Sequence, residues 1–139
     1  MLPIVSSLIA TVVLLVWMGF FMMGSLPLLI LAHDTPLDSR FIRGLFNVYY
    51  LAVMLTAGAA ALCYGWTGRP FFALGMAAIA VLAFALRRWI IIPRMDRLRE
   101  TIPAVQASAL RFRRLHIAGM MLNVVQLGGV AWSLTRLGL

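Results

Sequence analysis

The chain contains no lysine, one cysteine and four acidic residues. With Cys63 as the lone thiol, no disulfide can form within the chain, and no cysteine cluster exists to hold zinc or an iron–sulfur centre. Cys63 sits in an apolar stretch and reads as a small packing residue. The acids are Asp34, Asp38, Asp96 and Glu100, and none falls within a long apolar run. A proton-coupled carrier usually keeps a carboxylate there. There is no phosphate-binding P-loop, no zinc-protease helix motif and no serine nucleophile elbow. No residue is assigned a catalytic role, and an enzyme is not the leading expectation.

Charge of either sign is scarce. Charged residues make up 12% of the 139-residue chain and hydrophobic ones 63%, whereas a soluble domain carries about 25% charge. A small water-soluble domain keeps much of its surface exposed and has nowhere to hide so much apolar area. Lipid is therefore the expected solvent. The net charge of +8 is all arginine in origin. These arginines lie between apolar runs and not on a soluble basic face, so anionic head groups, not nucleic acid, are the expected counterpart.

What the chain does have is four long uncharged stretches: Leu2 to Ala32, Gly44 to Gly68, Pro70 to Leu86 and Leu115 to Thr135. A membrane span needs roughly 20 apolar residues. The third stretch reaches that length when Trp89 to Ile92 is added, with Arg87 and Arg88 snorkelling to the head groups. The pattern predicts an all-α, single-domain membrane four-helix bundle of up-down topology over residues 1–139. Its spans are expected at 4–31, 44–66, 70–92 and 115–135, with an arginine-rich loop at 93–114. The first span lacks the basic start and small-residue cleavage site of a signal peptide. Gly24, Ser25 and Pro27 are expected to kink it or end its regular part.

Arginine placement sets the direction. Arg87, Arg88, Arg94, Arg97, Arg99, Arg111, Arg113 and Arg114 fall in or beside the loop before the last span, and Arg40 and Arg43 follow the first. Only Arg69 and Arg136 lie on the opposite side. The arginine-rich side is expected in the cytoplasm, with both termini outside it, in a bacterial inner membrane. The eight arginines around the last loop are expected to meet lipid head groups or a partner. Trp66, Trp132, Trp89, Tyr49 and Tyr50 fall where an interfacial aromatic belt is expected. Trp17 lies near mid-membrane and is expected to pack between helices. In the inner loop, Pro103 fits a first helical turn with Thr101 as cap, leading through Ala107 and Leu110 into the fourth span. Asp96 and Glu100 are placed to pair with Arg97 or Arg99.

Polar residues within spans are the usual functional leads. On the fourth span His116, Gly119, Asn123 and Gln126 share an arc of about 80°, and that face is expected to point into the bundle. The plain reading is helix–helix glue, with Gly119 permitting close approach. A sharper reading joins His116 to His33, which ends the first span near the same boundary. Two imidazoles there suit haem, quinone or a metal. Met18, Met22 and Met23 invite a copper reading, but methionine is also an ordinary apolar filler.

Four segments carry a family resemblance. They are Trp17-Met-Gly19 with Leu26-Pro27, Arg40-Phe-Ile-Arg-Gly-Leu-Phe46 with Tyr49-Tyr50, Arg88-Trp-Ile-Ile-Ile-Pro93-Arg94, and Phe112-Arg-Arg-Leu-His116 continuing to Asn123. Together they resemble the transmembrane protein 205-like family, a four-helix membrane domain without an established enzymatic activity. The resemblance implies importance for His116 and Asn123, then Trp89 and Pro93. Size and layout are also loosely similar to small membrane haem-pathway oxidases, whose early first-span histidine this chain lacks.

The leading functional expectation is a non-enzymatic accessory or assembly subunit of a larger membrane complex, or a self-associating one, with no cofactor. The alternatives are a haem-, quinone- or metal-binding redox protein using His116 and His33, and an oligomeric exporter of small molecules or metal ions.

Overall fold

The computed structural model describes residues 1–102 and 104–137. Every regular element among them is helical: α1 (Leu2–Leu28), α2 (Pro36–Trp66), α3 (Pro70–Ala85), a π-helical turn (Leu86–Ile90), α4 (Ile91–Thr101) and α5 (Gln106–Thr135). Four continuous helical segments, Leu2–Leu28, Pro36–Trp66, Pro70–Thr101 and Gln106–Thr135, are long and apolar enough to cross a membrane. Large apolar side chains such as Ile9, Val16, Phe20, Leu55, Leu62 and Val125 face outward along them. That pattern suits a multi-pass membrane protein, because lipid carries no penalty for such a surface.

Local chemistry sets the boundaries. Pro36 and Pro70 occupy the first turns of α2 and α3, where a missing N–H costs nothing. The Thr35 hydroxyl accepts from the Asp38 amide at 3.2 Å and caps α2. Gly68 takes φ of 68°, which lets the chain turn between α2 and α3. Pro27 lies in the last turn of α1, which ends at Leu28, three residues short of the expected boundary.

The expected loop at 93–114 is mostly helix. The third span runs on through the π turn into α4, and α5 begins at Gln106. Pro93 therefore lies inside a helix. Its ring clashes with the carbonyl four residues back, and the π turn that ends there, with the Ile91 amide bonding the Leu86 carbonyl, opens the helix at that point. α4 is amphipathic and buries Ile91, Ile92 and Met95. The capping expected of Pro103 falls outside the described residues, while the helix expected through Ala107 and Leu110 is present.

α2 is the hub. Ile42, Phe46, Tyr49, Tyr50, Val53, Ala57, Ala60 and Tyr64 form its buried face at helical spacing. Phe21 of α1 stacks on Tyr49 with ring centroids 4.0 Å apart and meets Phe46 edge-on at 4.9 Å. At the other end Thr11 of α1 bonds the Tyr64 hydroxyl at 2.9 Å, and Tyr64 stacks on Phe72 of α3. Residues paired between α1 and α2 thus run in opposite order along the two helices. Tyr49 and Tyr50 are core residues and not part of an interfacial belt, whereas Trp66, Trp89 and Trp132 are exposed as the belt requires. Trp17 is half-buried, edge-on to Phe20.

Polar links tie the arginine-rich end together. Arg43 of α2 grips Asp96 of α4 through Nε at 2.9 Å and Nη2 at 3.0 Å. Arg99 adds a contact to Asp96 at 3.5 Å. Arg97 instead bonds the Pro93 carbonyl. Arg87 donates to Asn47 at 3.1 Å. At the far end Arg69 donates to the Leu137 carbonyl at 2.9 Å.

Candidate functional site

The segment between α1 and α2 folds back under the bundle. His33 adopts φ of 64°, uncommon outside glycine though more accessible to histidine than to most residues. Its ring is fully buried, while Ala32 and Asp34 on either side are exposed. Arg113 of α5 donates to the Leu29 carbonyl at 2.9 Å and fastens this segment to α5.

One turn further along α5 lies His116, also fully buried. His33 Nε2 and His116 Nδ1 are 2.8 Å apart. The structure thus joins the two imidazoles that the sequence offered separately. Phe112 flanks the His33 ring, and Phe46 meets the His116 ring edge-on at 5.6 Å. The two remaining ring nitrogens, His33 Nδ1 and His116 Nε2, are buried and make no hydrogen bond among the described residues.

The consequence is independent of the tautomer. A neutral imidazole has one N–H and one lone pair. If His33 donates to His116, its own Nδ1 is left as an acceptor and His116 Nε2 as a donor. In the opposite tautomer these roles exchange. Either way one buried donor and one buried acceptor lack a partner among the described residues, each costing about 1–3 kcal/mol. Burial is the main force lowering the His33 pKa from 6.5, and the Arg113 guanidinium adds to it. The Leu31 backbone, near the ring though outside hydrogen-bond geometry, opposes it together with Asp38 and Asp34. The neutral form is thereby favoured, which is the form that ligates metals.

Two turns beyond His116, Asn123 accepts a hydrogen bond from the Tyr49 hydroxyl and donates to the Met18 carbonyl at 3.2 Å. Its amide is thereby held on both sides, and α5 is fixed to α1 and α2. Between these two polar residues sits Gly119. A Cβ there would overlap the Phe46 ring, so glycine is required for that ring to lie against the α5 backbone. His116, Gly119 and Asn123 therefore share the buried face expected of them. Gln126 does not join them. It is half-buried and lines a cavity of about 560 Å³ with Phe72, Met76, Ile79, Val130 and Trp132, between α3 and α5.

The donor set discriminates among cofactors. Haem held by both histidines as axial ligands places the macrocycle between the rings, whereas these rings bond each other directly. A metal ion fits better. Ligating nitrogens lie about 2.0–2.1 Å from zinc, hence about 3.3 Å from each other in a tetrahedral shell. The observed spacing is about half an ångström shorter, a change that a small ring displacement supplies. No group of three or more histidine, cysteine or acidic residues is available among the described residues, so an ion here has two protein ligands from that set. The methionines do not complete it as a cluster: Met18 is in the core, Met22 half-buried and Met23 outward-facing.

Arg87, Arg99 and Arg113 are engaged with groups on other elements or with Asp96. Arg88, Arg94, Arg97, Arg111 and Arg114 are all exposed, and Arg94, Arg97 and Arg111 line one open recess. Sequence reasoning missed Phe46, Tyr49 and the Arg43–Asp96 pair. For Tyr49 the signal was present, since it shares a helical stripe with Ile42, Phe46 and Val53. No family model, curated protein or solved structure matches the chain.

Proposed function

We propose that the chain is an up-down membrane bundle with both termini outside the cytoplasm, and that it binds a transition-metal ion at His33 and His116 near the cytoplasmic boundary. One observation carries this reading: two buried imidazoles bring one ring nitrogen each, His33 Nε2 and His116 Nδ1, to 2.8 Å, close to the spacing of two ligands on one ion. A fold that only needed to fill this space would do so at lower cost with apolar side chains. Nitrogen ligands favour copper(II) and zinc among the divalent first-row ions. An ion with two protein ligands keeps open positions for an exchangeable third group, as catalytic and transfer sites do. The resemblance to the transmembrane protein 205-like family points to the same α5 residues, His116 and Asn123. The orientation rests on the arginine asymmetry.

The test is metal analysis of detergent-purified protein from metal-replete cells, beside His33→Asn and His116→Ala. Bound ion near one per chain, lost in both variants, supports the reading. Equal metal in all three removes it, and a bound quinone would reassign the pair as a hydrogen-bonding site. Reporter fusions at the two ends test orientation, and a cytosolic signal from either contradicts it.

A second reading, an accessory or assembly subunit, is favoured by Gln126. Its amide bonds no described residue although it lies within a span, beside an apolar recess. Lipid cannot satisfy an amide. A partner helix offering a polar side chain would, and its co-purification should be lost in Gln126→Leu.

A further inference from the structure

We propose that Arg94, Arg97 and Arg111 hold the phosphate of one anionic phospholipid between α4 and α5. The three residues line a single shallow, open recess of about 310 Å³ together with Leu98 and Leu115. No acid is among its walls. Asp96 on the same helix is occupied, both of its oxygens bonded by Arg43. Glu100 is exposed and forms no ion pair with a described residue.

Their hydrogen bonding sets these arginines apart. Arg94 and Arg111 donate to no described residue, and Arg97 makes one long bond, from Nε to the Pro93 carbonyl of its own helix at 3.4 Å. Their guanidinium forks are left to something outside the chain. Three like charges around one recess repel each other. An anion with several oxygens removes that repulsion, and guanidinium matches phosphate in bidentate geometry.

The remainder of the recess argues for a lipid. Leu98 and Leu115 offer apolar contact next to the arginines, suited to the glycerol and upper acyl region. Leu115 opens the last uncharged stretch, and the exposed Trp89 stands shortly before Arg94. The recess therefore lies at head-group depth, where anionic lipids concentrate on the cytoplasmic side. This inference needs the chain to be in a membrane but does not depend on the histidine pair.

The experiment is native mass spectrometry of the full chain released from detergent with phosphatidylglycerol, phosphatidylcholine or inorganic phosphate added. Variant Arg94→Gln/Arg97→Gln/Arg111→Gln is compared with Arg40→Gln/Arg88→Gln/Arg114→Gln, which removes the same charge from equally exposed positions outside the recess. The parent chain should retain one phosphatidylglycerol, in preference to phosphatidylcholine and undisturbed by millimolar phosphate. The first variant should bind it about tenfold or more weakly, and the second within about threefold of the parent. Arg111→Lys, which keeps the charge but loses the fork, guards against a folding defect and should weaken binding several-fold. Equal losses in the two triple variants would reduce the effect to bulk attraction. Displacement by inorganic phosphate, or equal retention of phosphatidylcholine, would overturn the lipid assignment.

Discussion

His33 and His116 are 83 positions apart in the chain, yet their ring nitrogens meet at 2.8 Å in a buried setting. Each ring comes from a different structural context. His33 is held in a left-handed backbone conformation between helices, and His116 sits on a regular helix against Phe46. Each keeps one nitrogen unbonded to any described residue, which makes the pair costly as packing, and the two nitrogens in contact are the ones placed to share an ion.

Gly119→Ala should destabilise the fold. The added methyl overlaps the Phe46 ring, and overpacking of this kind costs about 1–3 kcal/mol. Gly58→Ala, where nothing lies within 4 Å, is the control and should be neutral or stabilising. Phe46→Leu should partly rescue Gly119→Ala in a double-mutant cycle. Equal unfolding free energies for the two alanine variants would refute the close-approach argument.

Asn123→Leu leaves the Tyr49 hydroxyl buried without its acceptor and the Met18 carbonyl without its added donor. The expected loss is about 1–3 kcal/mol. Tyr49→Phe in the same background should recover part of it, since both partners are then apolar. Reversible unfolding in mixed micelles measures both, and additive effects would deny the coupling.

Arg43→Met should loosen α4 from α2 without unfolding the bundle. The pair is bidentate but partly exposed, with side chains 30% and 41% accessible, so its worth is limited to about 1 kcal/mol. Hydrogen exchange should rise in α4 while the middle of α2 stays protected. Unchanged exchange in α4 would show that apolar packing of Ile91, Ile92 and Met95 suffices.

Acidification should weaken the metal-free protein. Burial lowers the His33 pKa below 6.5, so on descending through 6.5 the unfolded chain takes up a proton before the folded one. Stability is then full above 6.5 and falls with pH until the lower folded-state value is passed. His33→Asn, whose side chain also tolerates the left-handed backbone, should flatten the slope. Stability that is constant or greater on going from pH 7.5 to about 5 would contradict the assigned burial.

Most of the helical architecture was legible in the sequence, and the reason is lipid. An apolar solvent forces every backbone group into internal pairing, so long uncharged runs translate directly into helices. The interhelical segments were less legible. Arginine runs read as loop because charge marks the membrane edge, but charge does not break a helix. Arg94, Arg97 and Arg99 therefore continue the third span as α4. For the site, the shared face of His116, Gly119 and Asn123 followed from spacing along one helix. Gln126 did not, because the outer part of that face opens on the recess beside α3. The contact of His33 with His116 lay beyond periodicity, since it depends on a single residue's positive φ.

X-ray absorption at the metal edge of the copper- or zinc-loaded protein tests the central claim most directly. The site proposed here gives two imidazole shells with nitrogens at about 2.0–2.1 Å, and one shell disappears in His116→Ala. A loaded ion with no imidazole in its coordination shell, or with the same shell after that substitution, would contradict it.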